Sequence, residues 1–191
     1  MGRIASIEDF EQGGLYTSYT RYPFFKERAT NLKGRITTGK VLIVGCGWGY
    51  LVDELVKLGI DAWGIEISQY AVDKAKTVIP DNAYRIIKGD ASIVADMDRV
   101  KTASGLNKNQ KFYLVVSEDM FTVCLDDEVT LTLNQMHRIG SHYLHIMTCI
   151  HPEIPGDIES RFASINWKTQ SQWKTLLGSD PCWDTEQGVQ F

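Results

Sequence analysis

A doubly wound α/β sheet, mostly parallel and with helices on both faces, is the fold this sequence predicts. Three observations carry it. From Lys40 onward, short apolar runs alternate five times with segments of helical periodicity. The first of these runs is unbroken aliphatic and lacks the in–out alternation of a half-exposed sheet, which places it between two layers. The chain has 191 residues and is 43% hydrophobic, enough for one well-filled core and too little for two ordinary domains. The β-then-α order then implies parallel strands joined by right-handed crossovers.

The elements follow in order. VLIVG (41–45) reads as a buried strand, and 49–58 as a helix with Leu51, Leu55 and Leu58 on one face, closed by Gly59. DAWGIEI (61–67) is the second strand. Ser68 caps a helix that carries Tyr70, Ala71, Ala75 and Val78 and stops before Pro80. AYRIIKG (83–89) reads as the third strand, DASIVADMDRVKTA as a short helix, and GLNKNQ as a loop. KFYLVVS (111–117) is the fourth strand. DDEVTLTLNQMHRIG is a helix with acids at its start and Gly140 at its end, and SHYLHIMTC (141–149) is the fifth strand. NWKTQSQWKTLLG supplies a last helix with Trp173, Leu176 and Leu177 facing inward. The dozen residues after it suffice for one strand (185–191), and ASINW (163–167) is a possible other.

In such sheets ligands sit beyond the carboxyl ends of the strands, where strand order reverses. That rule selects residues 45–50, 66–70, 89–92, 117–124 and 149–153. Residues 1–39 are expected to form a cap over that edge, with 40–191 as the main domain.

Composition excludes several classes. Net charge is −4, so no global positive field would hold nucleic acid. The first residues lack the apolar core of a signal peptide, although MGRIAS fits a loose myristoylation pattern. No stretch approaches about 18 consecutive apolar residues. Cysteines 46, 124, 149 and 182 have no paired spacing, so reduced thiols in a cytoplasmic protein are expected. Histidines 137, 142, 145 and 151 fit none of the familiar ligand spacings, and no metal site is expected.

The strand 41–44 runs into GCGWG, with glycines at 45, 47 and 49. Gly45 would let the chain turn sharply, and Gly47 and Gly49 would let a ligand approach the next helix. A dinucleotide loop, G-x-G-x-x-G, needs glycine where Tyr50 stands. A phosphate loop fails too: Gly34–Gly39–Lys40 precedes its strand and is followed by Val41.

With G-x-G-x-G, the chain resembles the class I S-adenosylmethionine-dependent methyltransferases. The resemblance covers about residues 40 to 150 and rests on VGCGWG, GIEIS, KGDAS and FYLVVSEDMF, in the family's order and spacing. It implies S-adenosylmethionine as cofactor and a role for each match. Glu66 would accept both ribose hydroxyls, although a dehydrogenase would use an acid there in the same way. Ile67 would pack on the adenine. Asp90 would accept from the adenine amine, and Ala91 or Ser92 would offer a backbone N–H; the plain alternative for Asp90 is helix capping. The methionine end would lie over Gly45, Cys46, Gly47 and Gly49, with the Ser117 backbone near its ammonium.

Two departures stand out. The family carries an acid two residues before the first glycine, and here that residue is Ile43. Arg21 and the tyrosines 16, 19 and 22 are candidates to close the methionine end, their alternative being a packing stripe on a helix. The tail is short, so the acceptor side is thinly covered, which suits a small acceptor or a second chain, a homo-oligomer included, closing the site.

Glu118 and Asp119, after the fourth strand, are the candidate general bases, with capping or solvation as their alternative; His151 is a further candidate. DNA amino-methyltransferases carry an Asn/Asp-Pro-Pro-aromatic signature where this chain has SEDM, and its Pro181–Cys182 lies far from the fourth strand. A small-molecule acceptor is therefore the expectation, ahead of nucleic acid. The competing readings are a non-catalytic S-adenosylmethionine-binding protein and an NAD(P)-dependent oxidoreductase.

Overall fold

A computed structural model describes residues 22–147, 168, 170–184 and 189–190. One seven-stranded sheet organises them. Helix α1 (Tyr22–Lys33) precedes β1 (Val41–Val44). Then come α2 (Tyr50–Lys57), β2 (Ala62–Glu66), α3 (Gln69–Val78), β3 (Ile86–Lys88), α4 (Val94–Ala103), β4 (Phe112–Glu118), α5 (Asp126–Ile139), β5 (Gly140–Met147), α6 (Gln170–Leu177), β6 (Cys182–Asp184) and β7 (Val189–Gln190). The strand order is β3-β2-β1-β4-β5-β6-β7, parallel throughout except for the antiparallel β6–β7 pair. Order reverses between β1 and β4. Their register sets Val44 beside Ser117, so the glycine loop and the end of β4 emerge side by side.

The aliphatic run of β1 is explained by its two-sided burial. Val41 and Ile43 join one apolar cluster with Phe25, Ala29 and Leu32 of α1 and Leu51 and Leu55 of α2. Leu42 and Val44 join the opposite cluster with Met97 of α4, Met136 of α5 and Trp173 of α6. Each such side chain, fully removed from water, contributes about 1.5–3 kcal/mol. Part of the expected cap segment is thus core: α1 buries Phe25, Ala29 and Leu32 at helical spacing, a stripe legible at i, i+4 and i+7.

Helix α2 ends as its glycine foretold. The Ile60 N–H donates to the Leu55 carbonyl and the Gly59 N–H to Val56, with Gly59 at φ 84°. Ser68 caps α3, its hydroxyl accepting from the Ala71 N–H at 3.3 Å.

Two local expectations are corrected. Residues 83–85 form a 3-10 turn, and the third strand begins only at Ile86. Its ladder starts at Gly64↔Ile86; before that Arg85 replaces pairing with side-chain bonds to Asp61 and the Ala62 carbonyl. Gly140 ends α5 as expected; its φ is −107°, and it opens β5 directly. A Cβ there would lie 2.5 Å from Val115 Cγ2, so the glycine serves close packing. The tail forms two short strands, β6 and β7, where one over 185–191 was expected. The family-like antiparallel pair is therefore present in miniature; 163–167 lie outside the described residues.

Gly64 in β2 is the tightest glycine in the sheet. A Cβ there would lie 2.4 Å from Cys46 Sγ and 3.1 Å from Ile86 Cδ1. Gly64→Ala is expected to cost about 1–3 kcal/mol by overpacking, a fall in Tm of several degrees. Cys46→Ala in the same chain should recover much of that loss in a double-mutant cycle read by thermal unfolding; simple additivity would show that the sulfur is not the obstacle.

Candidate functional site

The site grows from the loop between β1 and α2. Gly45, Gly47 and Gly49 all have positive φ, at 67°, 55° and 83°. At Gly47 this conformation turns the backbone N–H onto Glu66 Oε2 at 2.8 Å. A side chain at that φ is strained by about 1–2 kcal/mol. The other two glycines have packing duties as well. A Cβ on Gly45 would meet the Met120 side chain at 2.7 Å, and one on Gly49 would meet the Ile79 and Ile86 methyls at 2.7 Å. Gly49 thus has a core-packing duty of its own beside the role expected of it. Cys46 also turns inward. Its N–H donates to the Ile65 carbonyl, and its thiol packs toward Gly64, where burial and the Glu66 charge push its pKa up.

Glu66 ends β2 and is 7% exposed. Its Oε1 accepts from the Ser68 N–H at 2.7 Å while Oε2 accepts from Gly47. Burial raises its pKa, opposed by these backbone bonds. Each oxygen of a carboxylate has a second lone pair, so both can still accept from a ligand. Ile67 follows, half-buried.

Asp90 lies at the end of the β3 unit. Its Oδ1 accepts from both the N–H and the hydroxyl of Ser92, at 2.8 and 2.7 Å. The local-turn alternative therefore describes one oxygen of Asp90. The Ser92 N–H is committed to that turn, and Ala91 is 9% exposed.

The end of β4 brings the remaining groups. Ser117 is 1% exposed, and its Oγ lies 2.8 Å from His145 Nδ1 on β5. Glu118 points to the opposite face, where its Oε1 meets the Arg28 Nε of α1 at 3.4 Å. Burial pushes its carboxyl up to about 7, against the pull of Arg28 and with help from the Asp119 charge. That same Oε1 accepts no hydrogen bond among the described residues. Asp119 is a non-glycine residue at positive φ, 50°. The turn is held by its N–H to the Ile146 carbonyl at 2.8 Å and by the Thr122 hydroxyl to its own carbonyl at 2.7 Å.

The structure thus gathers Gly45, Gly47, Glu66, Ser117, Glu118 and Asp119 along one edge of the sheet. Tyr22 opens α1, while Tyr16, Tyr19, Arg21 and His151 lie outside the described residues. Sequence reasoning missed Arg28, Met120, His145 and Asp180. The i, i+4, i+7 stripe of α1 could have drawn attention to Arg28; nothing in the sequence pairs Ser117 with His145, which are brought together by β4–β5 register. Among the described residues no His, Cys, Asp and Glu groups are arranged to hold a metal ion, and no helix is long and apolar enough to cross a membrane.

Comparisons place this geometry. Among curated protein sequences no significant match is found. Among solved structures, the PH0226 protein from Pyrococcus horikoshii OT3 superposes with a TM-score of 0.62 at 19% identity, over 83% of this chain and 81% of that one. The glycopeptide N-methyltransferase MtfA, crystallised with (S)-adenosyl-L-methionine, gives 0.51 at 16% identity, over 67% and 55%. DesVI of Streptomyces venezuelae gives 0.50 at 17% identity, over 67% and 52%. This chain spans about half the length of the last two. At such identities the superpositions establish the fold, a class I methyltransferase-like sheet. A family model described as a methyltransferase domain matches residues 41–141, more than half of the chain and the whole run from the glycine loop to the start of β5. With its strand order, its glycine loop and its buried acid at the end of β2, the chain belongs to the methyltransferase domain family.

Proposed function

We propose that the chain is an S-adenosylmethionine-dependent methyltransferase acting on a small-molecule acceptor. The observation that carries this reading is Glu66, a buried carboxylate pinned by the Gly47 and Ser68 amides at the switch edge, with acceptor capacity left over. The residues present fit the cofactor. Glu66 would take the ribose hydroxyls, Ile67 the adenine face, and Asp90 with the Ala91 amide the adenine edge. Gly45 to Gly49 and the Ser117 backbone would border the methionine end. Helix α1 and residues before it would form the cap.

When bound, the cofactor supplies a methyl group already activated by its sulfonium. The protein's task is then alignment and proton removal. Glu118, ionising near pH 7, is the first candidate to take a proton from an acceptor N–H or O–H. Asp119 is the second candidate. A small acceptor is favoured by the net charge of −4 and by SEDM in place of a DNA-methylase signature. Whether a second copy or partner chain helps to close the acceptor side belongs to the same proposal, as does a cytoplasmic location.

Calorimetry with S-adenosylmethionine and its demethylated product tests the reading. Submillimolar binding of both is expected, and binding of neither would sink it. Binding without turnover of labelled cofactor across a metabolite extract would support a non-catalytic binder instead.

Glu66→Ala removes an acceptor from the ligand and leaves two backbone N–H groups unpaired. Cofactor affinity is expected to fall by about 1.5–3 kcal/mol and stability by about 1–3 kcal/mol. Calorimetry and urea unfolding on the same sample check both; normal affinity in a destabilised variant would leave Glu66 with the loop alone.

Glu118 makes a pH prediction with a definite sign. Its folded pKa, about 7, lies above the ordinary 4.5, so the folded state holds the proton longer than the unfolded one. Wild-type stability should then fall as pH rises from about 4.5 to 7. Glu118→Gln removes that dependence. The variant is expected to match the wild type near pH 5 and exceed it near pH 8 by on the order of 2–3 kcal/mol in urea unfolding. A constant difference across that range would show that Glu118 is already ionised at pH 5.

A further inference from the structure

Beneath the end of β4, on the face opposite Glu118, lies a line of polar side chains inside an apolar cluster. Ser117 Oγ is 2.8 Å from His145 Nδ1, and His145 Nε2 is 3.2 Å from Asp180 Oδ2. Ser117 and His145 are 1% and 0% exposed, and the Asp180 side chain 9%. Phe121 lies against the imidazole, ring centroids 5.1 Å apart, and Val115, Trp173 and Leu177 belong to the cluster around it. His137 Nε2 reaches the same Asp180 oxygen at 2.6 Å from a side chain 43% exposed.

The chemistry fixes the protons. Asp180, its pKa held down by the two imidazoles although burial pushes the other way, is a carboxylate that only accepts. His145, kept neutral by burial, therefore carries its proton on Nε2 and donates it to Asp180. Its Nδ1 is left as an acceptor for the Ser117 hydroxyl, which sets the serine rotamer. Nothing in the packing of the sheet asks for this: Val44, beside Ser117, and Val115, two residues before it, are apolar, as is Phe121 against His145. Burying three polar groups where aliphatics would pack costs stability unless they are fully paired.

What the line holds is the segment that needs holding. Ser117 directly precedes Glu118 and the positive-φ Asp119, and β5 grips this stretch twice, through His145 to Ser117 and through the Ile146 carbonyl to the Asp119 N–H. We propose that His145 and Asp180 are positioning residues: through the Ser117 hydroxyl they fix the end of β4, and with it the direction of Glu118. The catalytic meaning of that direction rests on the function proposed above; the positioning itself does not.

Carbon-13 NMR titration of the Glu118 carboxyl reads the positioning without any acceptor, the resonance being assigned by its loss in Glu118→Gln. In Ser117→Ala and Asp180→Asn, loosening of the strand end should admit water to Glu118 and lower its pKa by about one unit. His137→Ala removes only the exposed partner and should leave the Glu118 pKa where it was. His145→Asn, which keeps an acceptor toward Ser117, should give a smaller shift than Ser117→Ala. An unchanged Glu118 pKa in folded Ser117→Ala and Asp180→Asn, whatever their Tm, would overturn the proposal and leave the line as a tether for the C-terminal segment. Failure of the function itself would appear elsewhere, as absent cofactor binding in the wild type.

Discussion

Two N–H···O bonds on one buried carboxylate hold the functional edge together. Glu66 receives the Gly47 amide on one oxygen and the Ser68 amide on the other, so the loop after β1 and the turn after β2 share one anchor. Gly47 needs a positive φ to aim its amide, and Ser68 must stay extended to cap α3. Burial raises the pKa of this carboxyl, and the two amide bonds oppose that rise. The same anchor sets a buried carboxylate at the carboxyl edge of the sheet, beside the loop after β1.

The sheet's second anchor is the end of β4, held from both faces. On one side α1 sends Arg28 to Glu118; on the other, β5 and the C-terminal segment send His145 and Asp180 to Ser117. Alternation along the strand makes this division unavoidable, since neighbouring side chains point to opposite faces. Segments at the two extremes of the described chain therefore meet across a single strand end. Met120 completes the edge by folding over Gly45, joining the turn after β4 to the glycine loop.

Much of this was legible in the linear sequence. The β1 aliphatics, the Gly59 stop and the Ser68 cap depend on neighbours within a few residues, and all three appear as read. The acid at 66 was legible by its place at a strand end. Errors fell where distant contacts decide. The third strand lost its first residues because Arg85 bonds to Asp61 across the sheet edge, and the nearest contacts that crowd Gly49 and Gly140 come from residues far along the chain. Met120 carried no local pattern that tied it to the site.

The sequence by itself determined the order of elements, the class of fold and the family-like motifs, because periodicity and turn chemistry act over one or two turns of chain. Tertiary structure alone decided which polar groups meet. Ser117 finds His145 through strand register, Glu118 finds Arg28 because α1 packs on that face, and Asp180 reaches His145 because β6 lies beside β5. The ionisation of Glu118 near neutrality belongs to the same category: it follows from burial, which no stretch of sequence specifies, and from a cation ninety residues away.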